Sequence, residues 1–426
     1  MRNSLPTYFL IICIVLIPIF NKGIWAQRSA AELISSIQPP RGKVPFPDGI
    51  THVVLKGQYL YVTNHWAGLQ VVDIKDITHP QEVAFLPTRD EAGQTILTDR
   101  YAFLSNYQDG VQVFDIEEPG NVKKISRIQT PGNALWVDYN SPYLYVALGD
   151  SGFAIYEVSN VENPSLVSRI KVGEWVQQLD YSENLLYLAA KKGGLIIFDV
   201  SNPSSPQKLA QFRTGFNTMK IQVEQPYAYI ADGPGGLLIM NVENPKFPLK
   251  VSRVSQVGFV GDLHKVGSYA YLANRDVGLQ IVNVNDPEKP FIESYYPTND
   301  KAYGVFKEDI YVYLAANTST LILRHNNAPR LTPLEDQHLL ENTPFTLQLE
   351  AVEPDGDPIL FQALNLPEGA TFDEQTGVVH WTPTYEQAGT YPNIIFRVIE
   401  QTQSRLSSSD TISFLVENVN RYPDLP

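Results

Sequence analysis

The sequence predicts an all-β chain: a seven-bladed β-propeller closed by an N-terminal strand, followed by a small antiparallel β-sandwich. Three observations carry this. A run of the form Tyr-Leu-Tyr-Val recurs every 42 residues, from Tyr59 to Tyr311. Each period holds four strand-sized pieces separated by turn residues, with no helical periodicity through the region. Past residue 330 the period stops, and about ninety residues alternate apolar and polar in strand lengths.

The chain has 426 residues, 43% hydrophobic and 18% charged, which is enough apolar material for real cores. The composition excludes collagen, coiled coil and wholesale disorder. A formal charge of −14 makes it a poor partner for nucleic acid or an anionic membrane.

The first element is an address. Arg2 opens a short polar stretch, and Tyr8–Phe20 is then uncharged and mainly apolar. That is too short to span a membrane and reads as the core of a signal peptide over 1–26, with cleavage after Ala26 and no membrane span afterwards. The one cysteine, Cys13, lies inside it, so the exported remainder has no disulfide and must be held by packing alone.

The repeat follows over 33–325. Its third place is aromatic in every unit: Tyr61, Phe103, Tyr145, Tyr187, Tyr229, Tyr271 and Tyr313. Glycine recurs at 68, 110, 152, 194, 236 and 278, with Thr320 breaking the series. Asp73, Asp115, Glu157, Asp199, Asn241 and Asn283 hold one further place before Asn/Asp-Pro-type turns, where turn hydrogen bonding is the simplest role. Four strands in 42 residues is the size of a propeller blade. The seventh unit leaves for Asn326-Asn327-Ala328-Pro329 without a fourth strand. Leu33–Gln38 resembles the fourth strands at Ser126–Gln129 and Ser168–Lys171. The N-terminus is therefore expected to supply the missing strand and close the ring, hiding two sheet edges.

Gly-Leu-Gln-Val-Val-Asp-Ile (68–74), Gly-Leu-Ile-Ile-Phe-Asp-Val-Ser-Asn-Pro (194–203) and Gly-Leu-Gln-Ile-Val-Asn-Val-Asn-Asp-Pro (278–287) resemble LVIVD repeats. Such repeats occur mainly in exported bacterial proteins and are read as propeller blades. The resemblance implies the fold and brings no catalytic motif with it.

Residues 326–330 form a polar joint to a second module over 331–420, with 421–426 as a tail. Strand-like pieces fall at Phe345–Val352, Ile359–Leu364, Val378–Trp381, Asn393–Val398 and Thr411–Val416. The stretch Ala351–Pro358, Leu366–Phe372, His380–Pro383 and Ala388–Tyr391 together resemble the cadherin-like, immunoglobulin-type domain of bacterial surface proteins. That resemblance implies calcium, a hard cation needing six to eight oxygens. Glu341, Asp355, Asp357, Asn418 and Asn420 fall where its ligands would sit. Glu353 and Arg421 depart from the pattern.

Catalytic constellations are weak. Gly149-Asp150-Ser151-Gly152 spells a serine-protease string, but its register makes it a hairpin, and no base or orienting acid accompanies it. Gly233-Pro234-Gly235-Gly236 precedes a strand, so it lacks the helix N-terminus that holds phosphate. The seven histidines show no metal-ligand spacing.

Hairpins between second and third strands, together with the crossings between blades, form one rim where units differ most. From it we select Trp66, Tyr107, Asp90, Glu91, Glu174, Trp175 and Asp300 as a ligand-binding set, since aromatic and charged loop residues suit recognition. The expectation is an exported bacterial protein, extracellular, at the cell surface or periplasmic, that binds a protein or carbohydrate and serves adhesion. One alternative is a propeller hydrolase or lyase using Asp90, Glu91, Glu174 and Asp300 as an acidic cluster. Another is a spacer in a longer surface protein, to which the ending Asp424-Leu425-Pro426 points.

Overall fold

A computed structural model of the chain describes residues 29–39, 49–255 and 258–419. The expected signal segment 1–26, the expected tail 421–426 and the ligand candidate Asn420 lie outside the described residues. The only helical element among the described residues is one 3-10 turn, Pro119–Asn121.

Seven four-stranded antiparallel sheets follow the 42-residue register. Blade one is Ile50–Lys56, Tyr59–Asn64, Gly68–Asp73 and Gln81–Pro87. Blade seven runs Ala302–Glu308, Tyr311–Ala316 and Ser319–Asn327, and its outer strand is Ser29–Ile37, paired antiparallel to Ser319–Asn327. The N-terminal ribbon thus starts four residues before its expected place. The innermost strands touch one another in sequence, and that of blade seven touches that of blade one. The ring is shut.

Apolar packing between blades holds it. Each third-place aromatic is at most 3% exposed. Each packs into the core of the following blade: Tyr61 against Leu104, Phe103 against Val146, and so on to Tyr313 against Val62 and Ile50 of blade one. Burying each such ring is worth about 2–3 kcal/mol. The glycines answer a different need. Gly152 has φ +82°, and a Cβ there would lie 2.0 Å from the Ile170 carbonyl oxygen of the outer strand. Where the outer strand is donated, Thr320 faces Ile37 and takes no positive φ.

The acid repeat is a turn device. Asp73, Asp115, Glu157, Asp199, Asn241 and Asn283 each accept the backbone N–H two residues on, at 2.8–3.0 Å. Ser151 sits in a tight turn and its hydroxyl faces only the Pro131 carbonyl, at 3.4 Å.

The joint expected over 326–330 is tighter. Blade seven's strand runs to Asn327 and the next strand begins at Arg330. The sandwich has one sheet of Gln337–Leu340, Ser407–Glu417, Gly389–Glu400 and Ile359–Leu364 in spatial order, and a second of Phe345–Gln348, Val378–Trp381 and Thr371–Asp373. It is not wholly antiparallel: Gln337–Leu340 runs parallel to Ser407–Glu417. Trp381, Phe396 and Phe414 centre its core.

Candidate functional site

The ring places equivalent positions of all seven blades around one axis. At the mouth of the channel lies a cleft of about 410 Å³. Its floor takes one residue from every blade in the same register: Thr51, Gly93, Leu135, Gln177, Met219, Gly261 and Tyr303. Its walls come from the hairpins, with His65, Trp66, Tyr107, Arg275 and Asn317, and from the crossing residue Glu91. Trp136, Lys220 and Asp262 rise from the inner strands below.

The polar groups are mutually arranged. Lys220 Nζ lies 2.6 Å from Asp262 Oδ1 and 5.1 Å from the centre of the Trp136 ring. His65 Nε2 stands 3.5 Å from Glu91 Oε2 and edge-on to Trp66. Trp66 is 50% exposed. The arrangement offers flat aromatic faces beside donors and acceptors, which is how proteins hold sugar rings and other amphipathic small molecules.

Of the seven rim residues selected from sequence, Trp66, Tyr107 and Glu91 line this cleft. The others have different occupations. Asp90 accepts the N–H groups of Glu91 and Gln108, and Asp300 does the same for Lys301 and Thr318, so both brace loops. Glu174 pairs with Arg213 at 2.8 Å. Trp175 lies under Lys191 Nζ at 4.4 Å. Asp90, Glu91, Glu174 and Asp300 therefore do not converge. Among the described residues, the acids close enough to share a cation are Glu353, Asp357 and Glu400, which belong to the sandwich.

Sequence reasoning missed the inner strands. Below the mouth a second space of about 230 Å³ is lined by His52, Gln94, Asp138, Gln178, Asp180, Gln222 and His264 among others. Each innermost strand is a sheet edge, and in blades four to seven side chains of the preceding blade cap its N–H groups. Asp138 Oδ2 accepts from Tyr181, Gln178 Oε1 from Ile221, Asp180 Oδ2 from Val223, Gln222 Oε1 from Lys265, Asp262 Oδ2 from Val305 and His264 Nδ1 from Lys307, each 43 residues on. Burial pushes Asp138 up to about 6 and holds Asp180 well above the usual carboxylate range, with the Asp138 charge adding to it. Burial and then the Lys220 charge push His264 down to about 3, and His52 well below its ordinary value. The signal was present in sequence as polar residues at alternate positions of first strands, but only ring closure makes them neighbours.

The calcium candidates separate. Glu341 Oε2 accepts the Val419 N–H, beside the end of Ser407–Glu417. Asp355 and Asp357 lie at the opposite end of the sandwich, next to Glu400. The strand Gly389–Glu400 joins those ends, and its 12 residues span roughly 35 Å. The expected set of Glu341, Asp355, Asp357 and Asn418 is therefore not one site. Asp355 and Asp357 instead meet the propeller. Asn327 donates its N–H to Asp355 Oδ2 at 2.5 Å, Arg324 pairs with Asp357 at 2.5 Å, and Asn326 Nδ2 donates to Glu400 Oε1 at 2.8 Å. Glu353, Asp357 and Glu400 place one oxygen each within 4.8 Å of one another. Asn326 Oδ1, Glu353 Oε1 and Glu400 Oε2 are buried with no hydrogen-bond partner. Glu400 is held above the usual carboxylate range, chiefly by burial, and also by the Asp357 and Glu32 charges.

A propeller of repeated blades with a mouth cleft, carrying a small sandwich, is the class the geometry defines. Comparison with known families agrees. Residues 50–88, 131–172, 175–214, 216–255 and 258–298 match the LVIVD repeat, and residues 328–417 match the family described as "Putative Ig domain". The chain is an LVIVD-repeat protein with a C-terminal immunoglobulin-type domain. The second and seventh units go unmatched: the second has Val122 where Pro80, Pro164, Pro206, Pro248 and Pro290 stand in other units, and the seventh takes its outer strand from the N-terminus. Among curated proteins none matches. A solved structure titled as the computationally designed Ika8 protein is similar in fold, with TM-score 0.52 and 9% identity, covering 69% of this chain and 99% of that one. With 711 solved chains matching in shape, the fold carries no argument about activity. No helix among the described residues is long and apolar enough to cross a membrane.

Proposed function

We propose that this is an exported binding protein, of the cell surface or periplasm, whose propeller mouth recognises carbohydrate while the sandwich spaces or tethers the ring. The observation that carries this reading is the 410 Å³ mouth cleft, with Trp66, Tyr107, Trp136 and Tyr303 set among Glu91, Gln177, Lys220, Asp262 and Arg275. Aromatic faces stack on sugar rings, and fixed polar groups choose among hydroxyl patterns. Binding is favoured over a hydrolase or lyase because Asp90, Glu174 and Asp300 are engaged elsewhere, and of the two acids in the cleft Asp262 is paired with Lys220 while Glu91 stands beside His65. The test is a glycan array probed with the full chain, followed by calorimetry on any hit. Trp66→Ala and Tyr107→Ala are expected to weaken binding at least tenfold with unchanged melting. Hits that survive both substitutions would contradict the reading.

A second reading concerns the junction. The unpartnered oxygens of Asn326, Glu353 and Glu400, with Asp355 and Asp357 beside them, fit a calcium ion tying propeller to sandwich. Asp355, Asp357 and Glu32 act on Arg324 there, and Asp357 and Glu32 also repel the Glu400 charge, so a divalent cation would relieve that repulsion. Calcium is expected to raise the melting temperature of the full chain, and a chelator to reverse it. An unchanged melt in millimolar calcium would remove the site.

A further inference from the structure

We infer, resting on the carbohydrate reading, that the mouth selects acidic sugars, with Arg275 receiving a uronate carboxylate. Several other cations of the ring carry an acid partner. Lys220 is matched by Asp262 at 2.6 Å, Arg213 by Glu174 at 2.8 Å and Arg253 by Asp232 at 2.8 Å. Arg275 has no ion-pair or hydrogen-bond partner for its side chain among the described residues, and its Nε is buried and unsatisfied. It nevertheless lines the cleft. Its guanidinium is held 4.3 Å from the centre of the Phe259 ring and 5.6 Å from that of Tyr303. Two aromatic faces fix the plane of the fork and leave its edge for a ligand, which is the geometry of bidentate carboxylate recognition.

Register adds to the argument. Arg275 holds in its hairpin the place that His65, Tyr107 and Lys191 hold in theirs. Lys191 is pushed down by burial and then by the Arg275 charge, so two cations face the same rim. A chain of net charge −14 that keeps an uncompensated guanidinium in its cleft has placed it for an anion. The neighbouring floor is open: Gly261 presents no side chain, and a Cβ there would reach only Arg275 Nε, at 3.6 Å.

The experiment is calorimetric titration of the full chain with a galacturonate trisaccharide and with its methyl ester. The free acid is expected to bind at least about tenfold more tightly, as a charge-assisted pair implies. Arg275→Gln should bring acid and ester to the same affinity, and Arg275→Lys should retain part of the difference. Equal binding of acid and ester by the wild type, or an Arg275→Gln variant that still prefers the acid, overturns the assignment and leaves the carbohydrate reading standing. If Arg275→Gln melts early, the wild-type acid-to-ester ratio and Arg275→Lys decide. If the wild type binds neither these nor any neutral glycan, the inference and the reading beneath it fall together.

Discussion

The Ser35 hydroxyl donates to the Ile77 carbonyl oxygen at 2.6 Å, joining the N-terminal strand to the first blade. Ser168 makes the same bond to Pro203, and Ser252 to Pro287, from the outer strand of one blade to the turn of the next. Ser126 does likewise with Val161. The donated ribbon is therefore seated as any other fourth strand, bulge included. Removing residues 29–39 should strip blade seven of its outer strand and of Ile34 and Ile37, which pack in the closing core. A drop in melting temperature of roughly 10 °C or more is expected by calorimetry, since each kcal/mol shifts a domain of this size by about 2–4 °C. An unchanged melt would show that the ring is held shut without it.

The caps inside the channel predict a second effect. Gln178 accepts the Ile221 N–H and donates to the Ile221 and Leu179 carbonyls. Gln178→Ala leaves those buried backbone groups without their side-chain partner. A loss of about 1–3 kcal/mol is expected in denaturant unfolding. The change should be smaller at an exposed glutamine such as Gln207.

Acid should destabilise the ring through its histidines. His264 Nδ1 accepts the Lys307 N–H, and its folded value is about 3 against 6.5 unfolded. The unfolded chain therefore binds a proton that the native ring refuses. This contribution is complete above pH 6.5 and is lost progressively as pH falls toward 3. Asp138, raised to about 6, acts in the opposite sense, its penalty growing as pH rises from about 4 to 6. His264→Gln puts there the residue that Gln222 already is one blade earlier, with the same backbone partners in reach. The variant should keep its stability at pH 7 and lose less of it at pH 4.5 than the wild type. A parallel pH profile for both would refute the assignment.

Gly152 and Ser151 make a contrasting pair. Gly152→Ala must bring a Cβ against the Ile170 carbonyl at positive φ, and a loss of about 2–4 kcal/mol is expected. Ser151→Ala touches nothing but a long hydrogen bond and should leave stability within about 0.5 kcal/mol. Comparable losses in the two would contradict this hairpin geometry.

The ring was legible because a 42-residue period repeats the buried aromatic seven times, and the hairpin glycine and the turn-capping Asp, Glu or Asn six times each. Trp66, Tyr107 and Glu91 were legible because loops differ where strands do not. The floor was not. Lys220 and Asp262 hold one register place of the first strands and Gln177 the place just before it, positions that look in sequence like an ordinary solvated face. They become a site only when closure turns that face inward. Arg275 stood among the hairpin residues, but its missing partner is a fact of three dimensions. The calcium set failed for a related reason: family spacing gathered Glu341 with Asp355, and a 12-residue strand holds them at opposite poles. Asn326 and Glu400, 74 residues apart, are joined by a hydrogen bond no local pattern announces.

A crystal structure of the full chain grown with an oligosaccharide from the array would test the central claim most directly. A sugar ring is expected at the channel mouth, against Trp66 and Tyr107 and above Lys220 and Asp262. Density for the sugar on the sandwich or on the outer strands, with the mouth holding only solvent, would contradict it.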